Sequence, residues 1–190
     1  MISAVLLAAG QSRRMLGENK LLKKYKNKYL INHILDTLKK SKVNKIIVVL
    51  GFQNLKVKKV ILKNKKIKCI YNKNYRMGMA SSIKSGLKKI SIKNKGFLIV
   101  QADMPNISKK IINSLYAAII NRNKEIFVPI HKKRFGNPVG FKRSMIKLLY
   151  KVKNDRGAKE IIKRNQKKLH FIKVHSNSIF EDFNTKEDFG

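Results

Sequence analysis

The feature that most constrains this chain is its opening: an apolar run, Ile2–Leu7, that passes directly into Ala8-Ala9-Gly10. A run without polar alternation reads as a strand buried on both faces, as in a parallel sheet covered by helices. Further stretches of this kind follow at Lys45–Gly51, Ile67–Tyr71, Gly96–Gln101, Glu125–Ile130 and His170–Val174. Between them the apolar period changes to that of a helix. Leu30, Ile31, Ile34, Leu35 and Leu38 predict a helix over 30–38, and similar spacing predicts helices over 79–90, 107–120, 143–152 and 158–164. Strands alternating with helices predict an α/β layer fold with a largely parallel sheet. The 190 residues contain no Pro/Gly/Ser-rich linker, so one domain spanning 1–190 is expected.

Charge is the second constraint. Lys and Arg number 45 against 10 Asp and Glu, a formal balance of +35. Taken alone, that balance points to nucleic acid. The basic residues are 37 Lys and 8 Arg, however, with Lys spread from Lys20 to Lys186. Dedicated phosphate readers more often cluster Arg, whose planar fork binds phosphate bidentately. Lys, Asn and Ile are plentiful together, as expected from drift in an A/T-rich genome. There is also no aromatic-interleaved strand motif, zinc site or discrete basic arm. With 43% apolar residues the chain is no disordered basic tail. No apolar run approaches the ~20 residues of a membrane span, and the N-terminus lacks the basic lead-in of a signal peptide. The one cysteine, Cys69, excludes an internal disulfide and reads as core filler in a reducing, cytoplasmic protein.

In parallel sheets ligands bind beyond the carboxyl ends of the strands, near a switch in strand order. Two features fall there. The first is the loop after the opening strand, where small Ala8, Ala9 and Gly10 expose backbone amides and Arg14 and Lys20 add positive charge within reach of a triphosphate. It is neither a Walker loop nor a Gly-x-Gly-x-x-Gly fingerprint, and the residues alone also allow an ordinary solvated strand-to-helix loop. The second is Asp103, which ends an apolar strand just before Pro105. A carboxylate there reads either as a hard-cation ligand or as a helix cap, and Ser108 is the better cap for the helix that follows.

These residues carry a resemblance. Leu7-Ala8-Ala9-Gly10-Gln11-Ser12-Arg13-Arg14-Met15, with Lys20 beyond it, resembles the signature of the nucleotidyltransferases that activate sugars, alditol phosphates and molybdopterin. Gly78-Met79-Ala80-Ser81-Ser82-Ile83 and Gln101-Ala102-Asp103-Met104-Pro105 resemble two further motifs of that family, in the family's order. Gly136-Asn137-Pro138-Val139-Gly140-Phe141, with Asn154-Asp155-Arg156-Gly157-Ala158-Lys159, is similar to a pair typical of its molybdenum-cofactor cytidylyltransferase branch. The closing Asp-x-Asp-Thr-Pro-Glu-Asp stands here as Asp182-Phe183-Asn184-Thr185-Lys186-Glu187-Asp188. Leu16, Asn154, Lys159 and Asn184 are departures from the pattern.

The resemblance implies a three-layer αβα, Rossmann-like fold with a mostly parallel mixed sheet, of nucleotide-diphospho-sugar transferase type. It implies transfer of CMP from CTP to the phosphate of the molybdenum cofactor, with pyrophosphate released. Arg14, Lys20 and Asp103 would act in catalysis. Ala8, Ala9, Gly10, Ser12, Gly78, Ser81 and Ser82 would bind the nucleotide, and Asn137, Asp155 and Arg156 the pterin acceptor. Mg²⁺ would sit on Asp103 and Asp182. Asp182 also reads as a solvated acid in a polar tail where Thr185 and Asp188 form a capping pair, and Asp155 as a cap for the 158–164 helix. The four histidines show no paired metal spacing. A molybdenum enzyme or its chaperone would be the protein partner, with no specific nucleic acid and no membrane.

The alternatives are GTP with molybdopterin, CTP with an alditol phosphate, a nucleotide sensor without activity, and a basic nucleic-acid-binding protein. Salt separates the last from the rest. Affinity for duplex DNA is expected to be sequence-independent and to fall steeply with salt, by about 0.9 in log affinity per log unit of salt for each phosphate contact. Nucleotide affinity, resting on directed contacts in a cleft, is expected to change far less between low salt and ~0.15 M. One titration series with each ligand across salt concentrations reads both.

Overall fold

The structure, a computed structural model, describes residues 1–15, 17–152 and 158–189. Its centre is the strand the opening run predicts, β1 (Ile2–Ala8). β1 pairs in parallel on one side with β4 (Lys45–Leu50) and on the other with β6 (Gly96–Gln101). Before β4 the chain makes a small hairpin of β2 (Lys24–Tyr25) and β3 (Lys28–Tyr29), turned by Lys26 and Asn27 in the left-handed region. Beyond β4 lies β5 (Ile67–Tyr71), again parallel.

On the other flank, β9 (Val139–Lys142) runs antiparallel to β6 and to β7 (Ile126–His131). The short β8 (Arg134–Phe135) pairs antiparallel with β7, and β10 (Leu169–Lys173) pairs with β7 in parallel. The order β10-β7-β9-β6-β1-β4-β5 therefore holds a mixed, mostly parallel sheet.

Helices cover both faces, as the unalternating strands require. On one face the even positions of β1 (Ile2, Ala4, Leu6 and Ala8) join α1 (Leu30–Lys40), α2 (Asn54–Val60) and α4 (Lys109–Asn121) in one apolar cluster. On the other, Val5 packs with α3 (Met79–Leu87), α5 (Ile146–Leu149) and α6 (Lys159–Arg164). α1 buries Leu30, Ile31, Ile34, Leu35 and Leu38, the set expected from the spacing. Truncating one of these to Ala is worth about 2–5 kcal/mol. Ser108 caps α4, its hydroxyl accepting from the Ile111 amide at 3.3 Å. Cys69 is half-buried on β5 against the first cluster, and burial pushes its thiol pKa up. No helix among the described residues is long and apolar enough to cross a membrane.

The α/β, mostly parallel, Rossmann-like reading is borne out, with local differences. Residues 143–152 form a short 3-10 turn leading into the four-residue α5 rather than one helix, and α3 stops at Leu87. α2 leaves no helical period in the sequence, because Val57 is its one buried residue and Val60 is only half-buried. β9 was hidden by its length and by Gly140, which gives no periodic signal.

The sheet also sets the position of the ligand crevice. β1 is followed in space by β4 on one side and β6 on the other, so strand order reverses at β1 and a gap opens at the carboxyl ends of β1 and β6. Gly51, just past β4, lets this end close up. A Cβ there would lie 2.6 Å from the Ala9 carbonyl oxygen and 2.7 Å from Tyr75 Cβ, closer than real Cβ contacts allow. Gly51→Ala is therefore expected to lower stability by about 1–3 kcal/mol. The expected reading is a fall in the urea midpoint at unchanged slope.

Candidate active site

The crevice is a cleft of about 370 Å³ at the carboxyl ends of β1 and β6. Its first wall is the loop that leaves β1: Ala8, Ala9, Gly10, Gln11, Ser12, Arg13 and Arg14 all line it. Gly10 is exposed, and a Cβ built on it meets nothing within 4 Å. The protein's own packing thus does not require glycine there, and the small residue leaves room for a ligand. The loop is fastened from behind. Met15 is buried, and its amide donates to the Ser12 carbonyl at 2.8 Å, with Ser12 itself in the left-handed region. The Ser12 hydroxyl accepts from the Lys20 amide at 3.2 Å. Buried Asn19 accepts from the Leu21 amide and donates to the Phe52 carbonyl, each at 3.0 Å, tying the loop to the end of β4.

Lys20 crosses the cleft. Its ammonium stands 2.5 Å from Asp103 Oδ2 and 3.0 Å from Asn184 Oδ1. The Lys20 and Asp103 side chains are 13% and 18% exposed, so this pair is far less screened than a surface ion pair. Asp103 Oδ1 is buried and has no hydrogen-bond partner among the described residues. A buried carboxylate oxygen without a donor is unfavourable unless something else meets it, which a cation would do.

The C-terminal segment forms the third side. The Phe183 amide donates to the Asp103 carbonyl at 2.9 Å, and the buried Phe183 ring lies edge-on to Tyr25 and Phe189. Asn184 Nδ2 donates to Asp182 Oδ2 at 2.7 Å. Asp188 accepts from the Asn184 and Thr185 amides at 2.6 and 2.8 Å, and these backbone bonds hold its carboxyl below the usual range. A depressed folded-state pKa means the contribution is complete at neutral pH and is lost as pH falls through that lowered value. The fourth wall is α3 and the turn before it, with Tyr75, Arg76, Gly78, Met79 and Ser82 lining the cleft.

Of the residues singled out in the sequence, Ala8, Ala9, Gly10, Ser12, Arg14, Lys20, Gly78, Ser82 and Asp103 share this one cleft. Ser81 does not line it. Its hydroxyl lies 2.7 Å from the Asn74 carbonyl and 2.9 Å from that of Gly78, and it accepts from Asn72 Nδ2, so it shapes the turn before α3. Asp182 is exposed and reaches Lys20 only through Asn184. Asn137 lines a second cavity of about 310 Å³, with Phe135, Val139, Lys163 and Gln166 among its other walls. Asp155 and Arg156 lie outside the described residues. Asn184, Gln101, Tyr75 and Arg76 line the cleft without having been singled out as site residues. Asn184 had a usable signal, since it stands where the family's closing motif carries an acid.

The second cavity is lined from β7, β8, the turn before β9, and α6. Val139 pairs with Ile99, two residues short of the carboxyl end of β6, so the Gly136–Pro138 turn lies beside that end. One recess thus lies at β1 and β6 and the other at β7 and β9.

The comparisons with known proteins fall on this architecture. Residues 4–169 match the model of the MobA-like NTP transferase domain. The chain belongs to that family. Across 181 residues, 95% of this chain and 82% of the relative, it is 30% identical to a probable molybdenum cofactor guanylyltransferase of Clostridium perfringens. Among solved structures, the Mycobacterium tuberculosis protein Rv0371c superposes with a TM-score of 0.86 at 21% identity, covering 99% of this chain and 94% of that one. A complex of the same protein with manganese gives 0.82 at 19% identity, with 99% and 95% covered. A nucleotidyl transferase from a Methanothermobacter species gives 0.84 at 17% identity, with 100% and 94% covered. At these identities the superpositions speak for the fold, while the family match makes this MobA-like chain a nucleotidyltransferase.

For a MobA-like domain the freedom around Gly10 has a measurable consequence. Gly10→Ala is expected to leave the unfolding free energy, measured in urea, within about 0.5 kcal/mol of the parent, since the added methyl meets no protein atom. Nucleotide affinity, measured by calorimetry on the same sample, is expected to fall roughly tenfold.

Proposed function

We propose that this cleft transfers a nucleoside monophosphate from GTP to the phosphate of a molybdenum-cofactor-type pterin, releasing pyrophosphate. The observation that carries the reading is the convergence of an open Gly10 loop, Lys20 and Asp103 on one crevice at the reversal of strand order. The guanylyltransferase name of the 30% identical relative supports GTP as donor. CTP, the donor suggested by the resemblance of Gly136–Phe141 and Asn154–Lys159, is the second reading.

The chemistry asks for position and charge rather than for a protein nucleophile. The acceptor phosphate is already anionic. One of its oxygens attacks the α-phosphorus, the bond from that phosphorus to the bridging oxygen breaks, and pyrophosphate leaves with the electron pair. Amides of the Gly10 loop, with Arg14 and Lys20, would neutralise charge growing on the α-phosphate and the departing group.

Asp103 fits a hard divalent cation, because its Oδ1 is buried and lacks a donor. The described residues contain no group of three or more His, Cys, Asp or Glu that could hold a metal. Mg²⁺ suits such a sparse set, since it takes one or two carboxylates and completes its shell with phosphates and water. When bound it would supply Lewis-acid polarisation of the phosphates. Ser82 and Gly78 would lie along the nucleoside. The acceptor would occupy the second recess, with the Phe135 ring and Asn137 toward the pterin and Lys163 near its phosphate. The finished cofactor would pass to a molybdenum enzyme or its chaperone.

A thermal-shift panel of GTP, CTP, ATP and UTP with Mg²⁺ tests the donor, because a ligand at 100 times its Kd adds about 2.7 kcal/mol to stability. GTP is expected to raise the Tm by roughly 5 °C or more, and the others by clearly less. A shift with CTP alone supports the second reading. No shift with any triphosphate overturns both.

A further inference from the structure

We infer that in the nucleotide-free protein the Lys20 ammonium takes the place of the divalent cation at Asp103, so that cation binding there waits for the nucleotide. The inference rests on the reading of Asp103 as the cation ligand and adds an order of events to it.

Lys20 is the phosphate-loop lysine, yet its Nζ is committed to Asp103 Oδ2 at 2.5 Å and to Asn184 Oδ1 at 3.0 Å. Both partners of the ion pair are mostly buried, so the ammonium already offsets the carboxylate charge that would attract a cation. A second positive charge brought to the same carboxylate meets the first at short range, where water and salt screen poorly. The carboxylate is only half used, because Oδ1 remains buried without a donor. Asp103 is thus poised for a cation but occupied by a lysine.

A polyanionic triphosphate reverses the balance. It offers Lys20 phosphate oxygens in place of Asp103 and adds the negative charge needed to hold a divalent ion beside an ammonium. Asn184 gives this exchange a pivot. Its amide oxygen can keep Lys20 directed into the cleft while the Asp103 bond is released. Asn184 is itself fixed, with its backbone amide on Asp188 Oδ2 at 2.6 Å and its Nδ2 on Asp182 Oδ2 at 2.7 Å. The adjacent Phe183 amide is bonded to the Asp103 carbonyl at 2.9 Å. Asn184 is therefore a positioning residue, acting through Lys20.

The test titrates Mn²⁺ into the full chain without nucleotide and follows free Mn²⁺ by electron paramagnetic resonance. The parent is compared with Lys20→Met and with Lys20→Gln, whose neutral polar amide keeps a hydrogen-bonding group in the cleft should Met prove disruptive. Thermal unfolding of each variant confirms the folded state. Both Lys20 variants are expected to bind Mn²⁺ at least tenfold more tightly than the parent, and adding Asp103→Asn is expected to abolish the gain. A second measurement reads GTP affinity by calorimetry with and without Mn²⁺, in the parent and in Asp103→Asn. No gain in either Lys20 variant, while Asp103→Asn removes the Mn²⁺ enhancement of GTP binding, overturns the exchange and leaves the cation assignment standing. A gain that survives Asp103→Asn overturns both. So does the absence of a gain together with no effect of Asp103→Asn on GTP binding.

Discussion

The contact between Lys20 and Asp103 joins three parts of the chain that are far apart in sequence. Lys20 belongs to the loop after β1, Asp103 to the end of β6, and the shared Asn184 to the closing segment. Around it the backbone is arranged to hold each partner still: the Ser12 hydroxyl on the Lys20 amide, Asn19 on Phe52, and the Phe183 amide on the Asp103 carbonyl. Placing a lysine and an aspartate together in a mostly buried position is costly unless both are well bonded. Here Lys20 is bonded to both Asp103 and Asn184, which offsets part of that cost. The pair lies in the cleft beside the reversal of strand order at β1.

Beneath that contact the fold is built on apolar burial. β1 is covered on both faces, with Ile2, Ala4, Leu6 and Ala8 in one cluster and Val5 in the other. Small residues then matter where backbones approach. Gly51 is held against Ala9 and Tyr75 by packing, while Gly10 faces open space. Packing thus requires glycine at 51, while at 10 the glycine borders the cleft with no protein atom against it. The surrounding excess of lysine adds a diffuse attraction for polyanions, including nucleotides, but aims at none of them.

The reach of sequence reasoning follows this division. The unalternating strands and the 3.6-residue periods of α1 and α4 were legible because burial on one or two faces leaves a regular apolar pattern. The Gly10 loop and Asp103 were legible because each follows a strand whose end is marked by small residues or by Pro105, and Lys20 because it stands beyond that loop in the motif the chain resembles. α2 and β9 were not, because Val57 is the one buried residue of α2 and β9 is short and contains glycine. Ser81 was singled out for the ligand, whereas its hydroxyl is used by Asn72 and two carbonyls. A hydroxyl shows nothing in sequence about which neighbour will claim it.

The sequence by itself determined the α/β class, the central strand, and the identity of the charged groups at the strand ends, because these depend on local pattern and residue chemistry. Only the tertiary structure decided that Lys20 meets Asp103, that Asn184 completes the trio, and that Asp182 stands behind it in solvent. Those outcomes depend on where β6 and the closing segment fall relative to β1. That placement is set by strand order and by the docking of Phe183 against Tyr25, a long-range contact that no spacing along the chain records.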